Sequence, residues 1–540
     1  MMKGSWIKMF VLTMLFGILM SIPWLAAHCG FLVLFGFVPL LYMDYIADSR
    51  GVKRFWLWHY SAFVLWNAVT TFWVCNATVG GGVFAVLANA FQMSVIFALF
   101  RLSKSYFKGV LPYIFLAVMW IAWERAYFSA DISWPWLVLG NAFARSTRMI
   151  QWYEYTGTLG GSLWVWACNL TVFGIAVSVA EGRFRRLNSW ALTAVSAGSL
   201  LLFLAPPVLS GILYKSYEEV SEGKIDVLVA QPNIDPYNKF TALTQVQQDS
   251  ILTDLLRGIL SEKDTIAEPL LLLCPETFTS DVICGDYASS GTWRHIGAVL
   301  DEFPGTGAIF GATTREFTYS SDPPTPESRR VRDNFWLQVH NSALSLDASR
   351  HTEIYHKSRL VVGVEMTPYP ALFTKIDDLL GGVMGRCVGQ DEISLLHFNG
   401  VPLGCAICYE SVYPEFCTGY VRKGAKALTV ITNDAWWGDT PGYRQHLSYS
   451  CLRAIELRRD IARCGNTGIS AFINQRGDIV SRTSWWVKDS LEGSVNLSGK
   501  MTFFASHGDV TGRVSTFLFL LLALALAVKL LTQNKKAAKK

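Results

Sequence analysis

Along the first 214 residues, apolar positions run in long blocks separated by short polar joints. The blocks fall at roughly 9–27, 31–47, 55–75, 82–100, 109–128, 157–180 and 189–211, and an eighth stands near the C-terminus at 513–532. Each approaches the ~20 residues that an α-helix needs to cross a bilayer core, with the second on the short side. From Ile225 the pattern changes. Short β-type runs ("IDVLVAQPN", "PLLLLCPET", "GAIFGATT", "NFWLQVHNSALSL", "VPLGCAICY", "ALTVITNDA") alternate with longer helical patterns, and several end in Pro, Asn, Asp or Glu. Buried strands give way to polar loops in this manner. "RQHLSYSCLRAIELRRDIAR" has apolar residues at helical spacing with arginines opposite. "GISAFINQRGDIV" predicts two strands joined by a turn at Arg476-Gly477, and "YSSDPPTPESRR" over 319–330 predicts a polar surface loop. Strands alternating with helices predict an α/β layered domain. There is no internal repeat and no phosphate-binding glycine loop.

Composition sharpens this division. Hydrophobic residues make up 51% of the 540 positions and charged residues only 16%, against about 25% charged in soluble domains. The deficit lies in the first 214 residues, whereas 215–510 reads as an ordinary globular domain. Three units are therefore expected: a membrane domain of seven spans over 1–214, an extramembrane domain over 215–510, and a last span with a basic tail over 511–540. Basic residues collect on alternate sides of the spans. Lys3 and Lys8 accompany the first, Arg50, Lys53 and Arg54 follow the second, Arg101, Lys104 and Lys108 follow the fourth, and Arg183, Arg185 and Arg186 follow the sixth. The positive-inside rule then puts both termini in the cytoplasm and 215–510 outside. The net charge of +5 is accounted for by this topology and points to no acidic or basic partner, nucleic acid included. The first block also reads as a cleaved leader ending in "LAAHC". His28 fits poorly before Cys29, and cleavage would undo the charge alternation, so a retained span is expected. The 11 cysteines are odd in number and scattered, which is not the pattern of a disulfide framework.

Three strand ends carry reactive groups: Glu276 in "LLLLCPETF", Lys357 in "IYHKSRLVVGVE" and Cys408 in "GCAICYES". A thiol becomes a strong nucleophile once a base removes its proton. A carboxylate suits that task, and an ammonium stabilises an oxyanion. Taken singly, each has a plainer reading: a buried structural cysteine, a turn, a solvated lysine. Cys405 and Cys408 also form a CxxC, but no second ligand pair follows for zinc. They stand in a strand-like run, where a spacing of three points them to opposite faces. Cys405 is expected to pack, and Cys408 to stand at the strand's end.

In order and flanks, "PET" at 275–277, "YHKSRLVVGVE" at 355–365, "CYES" at 408–411 and "TNDAWWG" at 432–438 resemble the nitrilase, or carbon–nitrogen hydrolase, superfamily with its Glu-Lys-Cys triad. "QHLSYSCLRAIELRRDIARCGNTGISAFINQRG" at 445–477, "WIAWERA", "SWPWLVLGNAF" and the seven-plus-one arrangement of spans resemble the bacterial apolipoprotein N-acyltransferase family over essentially the whole chain. The resemblance implies a polytopic α-helical membrane bundle with eight transmembrane helices, carrying a nitrilase-like αββα sandwich. It implies Cys408 as nucleophile, Glu276 as general base and Lys357 as oxyanion stabiliser. Glu365 matches a second family glutamate that supports the site, and Tyr409 and Glu410 match the residues after the nucleophile, with the Tyr409 N–H an oxyanion donor. Asn433, Asp434 and Trp436 fall in a motif lining the site, or form a strand-end turn with packing. Two places depart from the family pattern. "LVVGVE" stands where the family usually reads "LVPFGE", and Phe240 stands where it often has Trp, so an indole N–H is lost there.

The implied reaction is ping-pong. An acyl chain passes from a glycerophospholipid to the cysteine as a thioester, then to the N-terminal α-amine of S-diacylglyceryl-cysteine apolipoproteins, the last step of bacterial lipoprotein maturation. The implied partners are membrane phospholipid and those apolipoproteins, at the bacterial inner membrane with the catalytic domain on the periplasmic side. No metal or organic cofactor is expected, and a monomer is. Two other readings remain. A membrane-anchored amidase would carry the same triad, though one span would suffice as an anchor. A non-enzymatic scaffold would be favoured by a missing triad member, and none is missing.

Overall fold

The computed structural model of the chain describes residues 2–184, 187–263, 269–371, 373 and 384–537. It divides into two compact units: Met1–Ala130 with Trp134–Tyr217 and His507–Lys540, and Asp131–Ser133 with Glu218–Ser506. Arg185 and Arg186, used above for topology, lie outside the described residues.

The first unit is helical. Its main elements are α1 (Met2–Leu25), α2 (Val38–Arg50), α3 (Phe55–Thr71), α4 (Val79–Lys104), α5 (Leu111–Tyr127), α6 (Tyr153–Ala180), α7 (Ser189–Ser216) and a C-terminal helix, Val510–Ala537. Six stretches among the described residues are long and apolar enough to cross a membrane: Trp6–Leu25, Gly30–Arg50, Val79–Lys104, Tyr153–Ala180, Ser189–Ser216 and Val510–Gln533. The blocks at 55–75 and 109–128 fall on α3 and α5, which have 17 residues each. At 1.5 Å per residue, such helices span about 25 Å, short of the ~30 Å hydrocarbon core. The interior is aromatic: the Phe37 ring lies 5.2 Å from that of Trp120 and 4.4 Å from that of Trp166. Buried Asp44 pairs with Arg101 at 2.7 Å and Lys104 at 2.5 Å. Along α7, Trp190, Leu200, Leu201, Val208 and Ile212 stand uncovered, as on a helix whose surroundings are lipid.

The second unit contains two sheets. The strands that position the site are β1 (Lys224–Gln231), β2 (Leu270–Leu273), β4 (Thr306–Tyr319), β6 (Phe335–Leu346), β7 (Thr352–His356), β9 (Val401–Ile407), β10 (Ala427–Thr432) and β11 (Ile461–Gly465). The other six are β3 (Thr279–Ile283), β5 (Arg329–Arg332), β8 (Leu396–Phe398), β12 (Ala471–Ile473), β13 (Ile479–Arg482) and β14 (Asp489–Asn496). One sheet has the order β14-β1-β2-β4-β6-β5, with β3 beside β4 and β7 beside β6; the other runs β13-β12-β11-β10-β9-β8. Neighbours β1, β2 and β4 are parallel, as are β9, β10 and β11. Alternation along the strands sends side chains to two cores. Leu228, Leu270, Leu272 and Phe310 pack with leucines of the helix Gln245–Leu260 and with Ile296, Val299 and Leu300 of the helix Gly291–Glu302. Val227, Val229, Leu271, Leu273 and Ile309 share the other core with Leu403, Cys405, Ile407, Leu428 and Val430 of the second sheet. Every strand predicted from the sequence is present, and Gly477 adopts φ +78° at the predicted turn.

The segment 444–463 departs from its single-helix reading. The helix Pro441–Leu457 stops where Arg458 turns left-handed at φ +48°, and the chain continues as β11. Beyond the half-exposed Arg444, the arginines do not form an outer face: Arg453, Arg458, Arg459 and Arg463 are buried. Their guanidinium groups are spent on backbone carbonyls and acids. Arg459 donates to the carbonyls of Ala425 and Lys500, and Arg453 to Glu456 at 2.7 Å. Five fixed donors make arginine suited to satisfying buried carbonyls of this kind.

Candidate active site

Glu276 lies in the loop after β2. Gly311 of β4 brings that loop close: its N–H donates to the Pro275 carbonyl at 3.0 Å and its carbonyl accepts from Phe278 N–H at 2.8 Å. A Cβ at Gly311 would sit 2.5 Å from the Glu276 Cα, so only glycine fits. Thr277 follows at φ +45°, an uncommon conformation for a β-branched residue. The Glu276 carboxylate is buried and accepts from Asn341 Nδ2 at 2.8 Å, Lys357 Nζ at 3.2 Å and the Asn433 N–H at 3.1 Å.

Lys357 is the first residue after β7, and its side chain is buried. Nζ lies 2.9 Å from Glu365 Oε1 and 3.2 Å from Glu276 Oε1. Burial works against its charge, but the Glu365 and Glu276 carboxylates, with Cys408, outweigh burial and hold the ammonium well above the ordinary lysine range. Asn341 Nδ2 bridges the same two acids, at 2.7 Å from Glu365 and 2.8 Å from Glu276. Glu365 is fixed in turn by the Val361 N–H at 2.7 Å.

Cys408 directly follows β9 at φ +52° and opens a tight helical turn, Cys408–Val412. Burial and the Glu276 carboxylate push its thiol well above the ordinary cysteine range, and Lys357 pulls the other way. The resting sulfur is therefore a thiol that needs a base. Thr432 Oγ1 lies 3.3 Å from Sγ and 2.7 Å from Asp434 Oδ1. The hydroxyl has one proton, which it can donate to Sγ or to the Asp434 carboxylate, one at a time. Cys405, by contrast, is fully buried in the core.

Two buried acids hold the turn. Glu410 accepts from the Ser358 N–H at 2.7 Å, the Ile407 N–H at 2.8 Å and the Tyr355 hydroxyl at 2.6 Å. Burial raises its pKa above the usual carboxylate value, against these hydrogen bonds. Asp434 faces Arg463 at 2.6 Å and His446 Nδ1 at 2.9 Å. Burial opposes its charge, but Arg463 and His446 hold its pKa down to about 2. His446 Nε2 lies 3.1 Å from the Cys408 carbonyl, on the side away from Asp434. Cys408, Asp434 and His446 offer ligand atoms within 4.8 Å of one another. The Arg463 guanidinium already stands against Asp434, so a cation there would meet a fixed positive charge.

The structure thus brings Glu276, Lys357, Cys408, Glu365, Glu410, Asn433 and Asp434 into one site. The Tyr409 hydroxyl donates to the Ser133 carbonyl at 3.0 Å, and Trp436 packs edge-on to Tyr237 at 5.6 Å. The side chain of Phe240 lies outside the described residues. Asn341, His446 and Arg463 were not singled out from the sequence. Asn341 follows His340 within the run "QVHNSALSL", where a polar residue in an apolar strand was the available signal.

Two regions of the chain match known families. Residues 324–499 match the family described as Carbon-nitrogen hydrolase, a stretch holding Lys357 and Cys408 and beginning beyond Glu276. Residues 16–171 match the Apolipoprotein N-acyltransferase N-terminal domain. A protein of Chlorobaculum tepidum named Apolipoprotein N-acyltransferase is 29% identical over 97% of this chain and 97% of its own length. Together these matches support the apolipoprotein N-acyltransferase family, within the nitrilase superfamily, for the chain. A relative of the same name from Geobacter metallireducens is 26% identical over 93% of this chain and 92% of its own length. Among solved structures, Saccharomyces cerevisiae Nit3 of the nitrilase superfamily aligns with 55% of this chain and 97% of its own at 15% identity, with a TM-score of 0.37. By the two family matches and its own helices, the chain carries several apolar helices in its N-terminal region and a C-terminal nitrilase-like α/β domain.

Proposed function

We propose that the protein transfers an acyl chain from a glycerophospholipid, through a thioester on Cys408, to the N-terminal α-amine of S-diacylglyceryl-cysteine apolipoproteins. The observation that carries this reading is the convergence of Glu276, Lys357 and Cys408, with Lys357 Nζ 3.2 Å from Glu276. Glu276 takes the thiol proton as Sγ attacks the ester carbonyl. Lys357 and the Tyr409 N–H stabilise the oxyanion. Collapse breaks the C–O bond, and the lysophospholipid oxygen leaves with the proton from Glu276. In the second half the amine displaces the sulfur, and the amide product is more stable than the thioester. Glu365, Glu410 and Asn433 hold these groups in place, and Asp434 and Trp436 line the site. Water must be kept from the thioester, since hydrolysis would divert the acyl chain.

In this reading eight helices span the bacterial inner membrane, the short α3 and α5 among them, and the second unit is an αββα sandwich on the periplasmic side. Both termini are cytoplasmic and the enzyme works as a monomer. Both substrates live in the bilayer, which gives the membrane unit its purpose. The test is the intact mass of purified protein incubated with phospholipid and no acceptor, for wild type and Cys408→Ala. An added acyl mass, absent from the variant and removed by hydroxylamine, is expected. No adduct, with turnover of a small soluble amide instead, would sink acyl transfer and favour an anchored amidase.

A further inference from the structure

Lys239 is placed to act on the same reaction. It sits on the short helix Pro236–Thr241, whose start is capped by Asp235 accepting from the Tyr237 N–H at 2.9 Å. Gln248 Nε2 donates to the Lys239 carbonyl at 2.8 Å, and Tyr237 packs against Trp436 at 5.6 Å, so the helix is pinned on two sides. The half-buried Lys239 amine donates to the carbonyl of Thr277, the left-handed residue directly after Glu276. Its nitrogen therefore touches the loop that carries Glu276, at the carbonyl of the next residue.

The chemistry leaves a task unfilled. An α-amine near neutral pH is largely an ammonium and has no lone pair to attack with. Between that ammonium and the amide product two protons leave the nitrogen. Glu276 can carry one of them to the departing sulfur but cannot hold both. We propose that Lys239 is the second base, removing the first proton from the acceptor ammonium before attack. This rests on the acyl-transfer reading above.

The step balances. The acceptor ammonium gives a proton to the neutral Lys239 amine, and the freed amine forms the C–N bond with the thioester carbon. The C–S bond breaks, the remaining excess proton on nitrogen passes through Glu276 to Sγ, and the Lys239 ammonium returns its proton to water. The proton affinities match. Burial pushes the Lys239 pKa down to about 8, with the Glu276 carboxylate acting in the other direction. An α-amino group titrates at about 8 as well.

The test separates two half-reactions in full-length enzyme, with a diacylglyceryl-cysteinyl peptide as acceptor. Acylation of Cys408 by phospholipid is read by intact mass, and transfer is timed from the isolated acyl-enzyme. Lys239→Met removes the amine. Lys239→Arg keeps a cation that can donate to the Thr277 carbonyl but cannot act as a base. At pH 7 both variants are expected to lose up to about 10-fold more in transfer than in acylation, since about a tenth of an amine of pKa about 8 is already neutral there. The gap should close near pH 9.5, where the acceptor has lost its proton unaided. Wild-type transfer by Lys239→Arg at pH 7 would overturn the proposal, because a donor to Thr277 would then suffice. Equal losses in both half-reactions at every pH would overturn it too, leaving the lysine a structural role. If the wild type itself forms no acyl-enzyme from phospholipid, it is the acyl-transfer reading that fails.

Discussion

Glu410, two residues beyond Cys408, accepts a hydrogen bond at 2.7 Å from the backbone N–H of Ser358, the residue after Lys357. One buried carboxylate thus ties the turn carrying the thiol to the loop carrying the ammonium. Its other oxygen holds the Ile407 N–H at 2.8 Å, at the end of β9. Glu410 touches neither reacting atom, yet it sets the distance between them.

Glu410→Gln places an NH2 group where one carboxylate oxygen now meets donors. A buried N–H left without an acceptor costs about 1–3 kcal/mol, and hydrogen bonds to a charged group are worth about 1.5–3 kcal/mol. Thioester formation should fall by on the order of 100-fold, with a lowered thermal unfolding midpoint. Tyr420→Phe removes a hydroxyl 3.2 Å from the same carboxylate and should cost about 1 kcal/mol or less. Equal effects from the two substitutions would show that the tie to Ser358 contributes nothing particular.

The sequence made the three reactive groups legible because each stands at the end of an apolar run, where burial and reactivity meet. The strands of both cores were legible for the same reason. What escaped was contributed from a distance. Asn341 reaches Glu276 across 65 positions of sequence and Lys239 reaches Thr277 across 38, and no local pattern records such pairings. The arginines near 453–463 misled because charge spaced opposite an apolar stripe reads as a solvated face. Here the chain turns at Arg458 and buries them on carbonyls of other elements.

Lys357 separates two carboxylates, and its removal should be felt in the fold as well as in catalysis. Lys357→Met leaves Glu276 and Glu365 facing a buried methyl group, a loss of about 3–5 kcal/mol for a broken buried ion pair. Lys357→Met combined with Glu365→Gln removes one of the stranded charges and should recover part of that loss without restoring activity. The order of thermal unfolding midpoints is expected to be wild type, then the double variant, then Lys357→Met. A double variant less stable than Lys357→Met would show that Glu365 is held by something other than the ammonium.

The resting thiol should be sluggish. Burial and Glu276 hold the Cys408 pKa well above the ordinary cysteine value, so little thiolate exists at neutral pH. Alkylation by a neutral haloacetamide, measured with no substrate present, should climb with pH through 9 without reaching a plateau. Glu276→Gln removes the nearby negative charge and should make alkylation at a given pH faster while abolishing acylation by phospholipid. A plateau below pH 8 in the wild type would mean that a thiolate exists before substrate binds.

Asp434 makes the acid limb of stability testable. Its pKa is lowered on folding from 3.8 to about 2, because Arg463 and His446 outweigh burial. A carboxyl whose pKa is depressed by folding stabilises the native state fully above its unfolded value. That contribution fades as pH falls from about 4 to about 2, where both states become protonated. At about 1.4 kcal/mol per unit, the ionised group contributes about 2–3 kcal/mol at pH 7. Asp434→Asn forfeits this at every pH and also leaves the buried Arg463 without its carboxylate. The gap between wild-type and Asp434→Asn unfolding midpoints should be constant from pH 7 down to about 4 and narrow below that. It should narrow because the wild type weakens, while the variant changes little through this carboxyl. A gap that stays constant down to pH 3 would mean that Asp434 matters through its shape alone. A gap that widens in acid would reverse the sign of the effect and place the carboxyl proton in the native state.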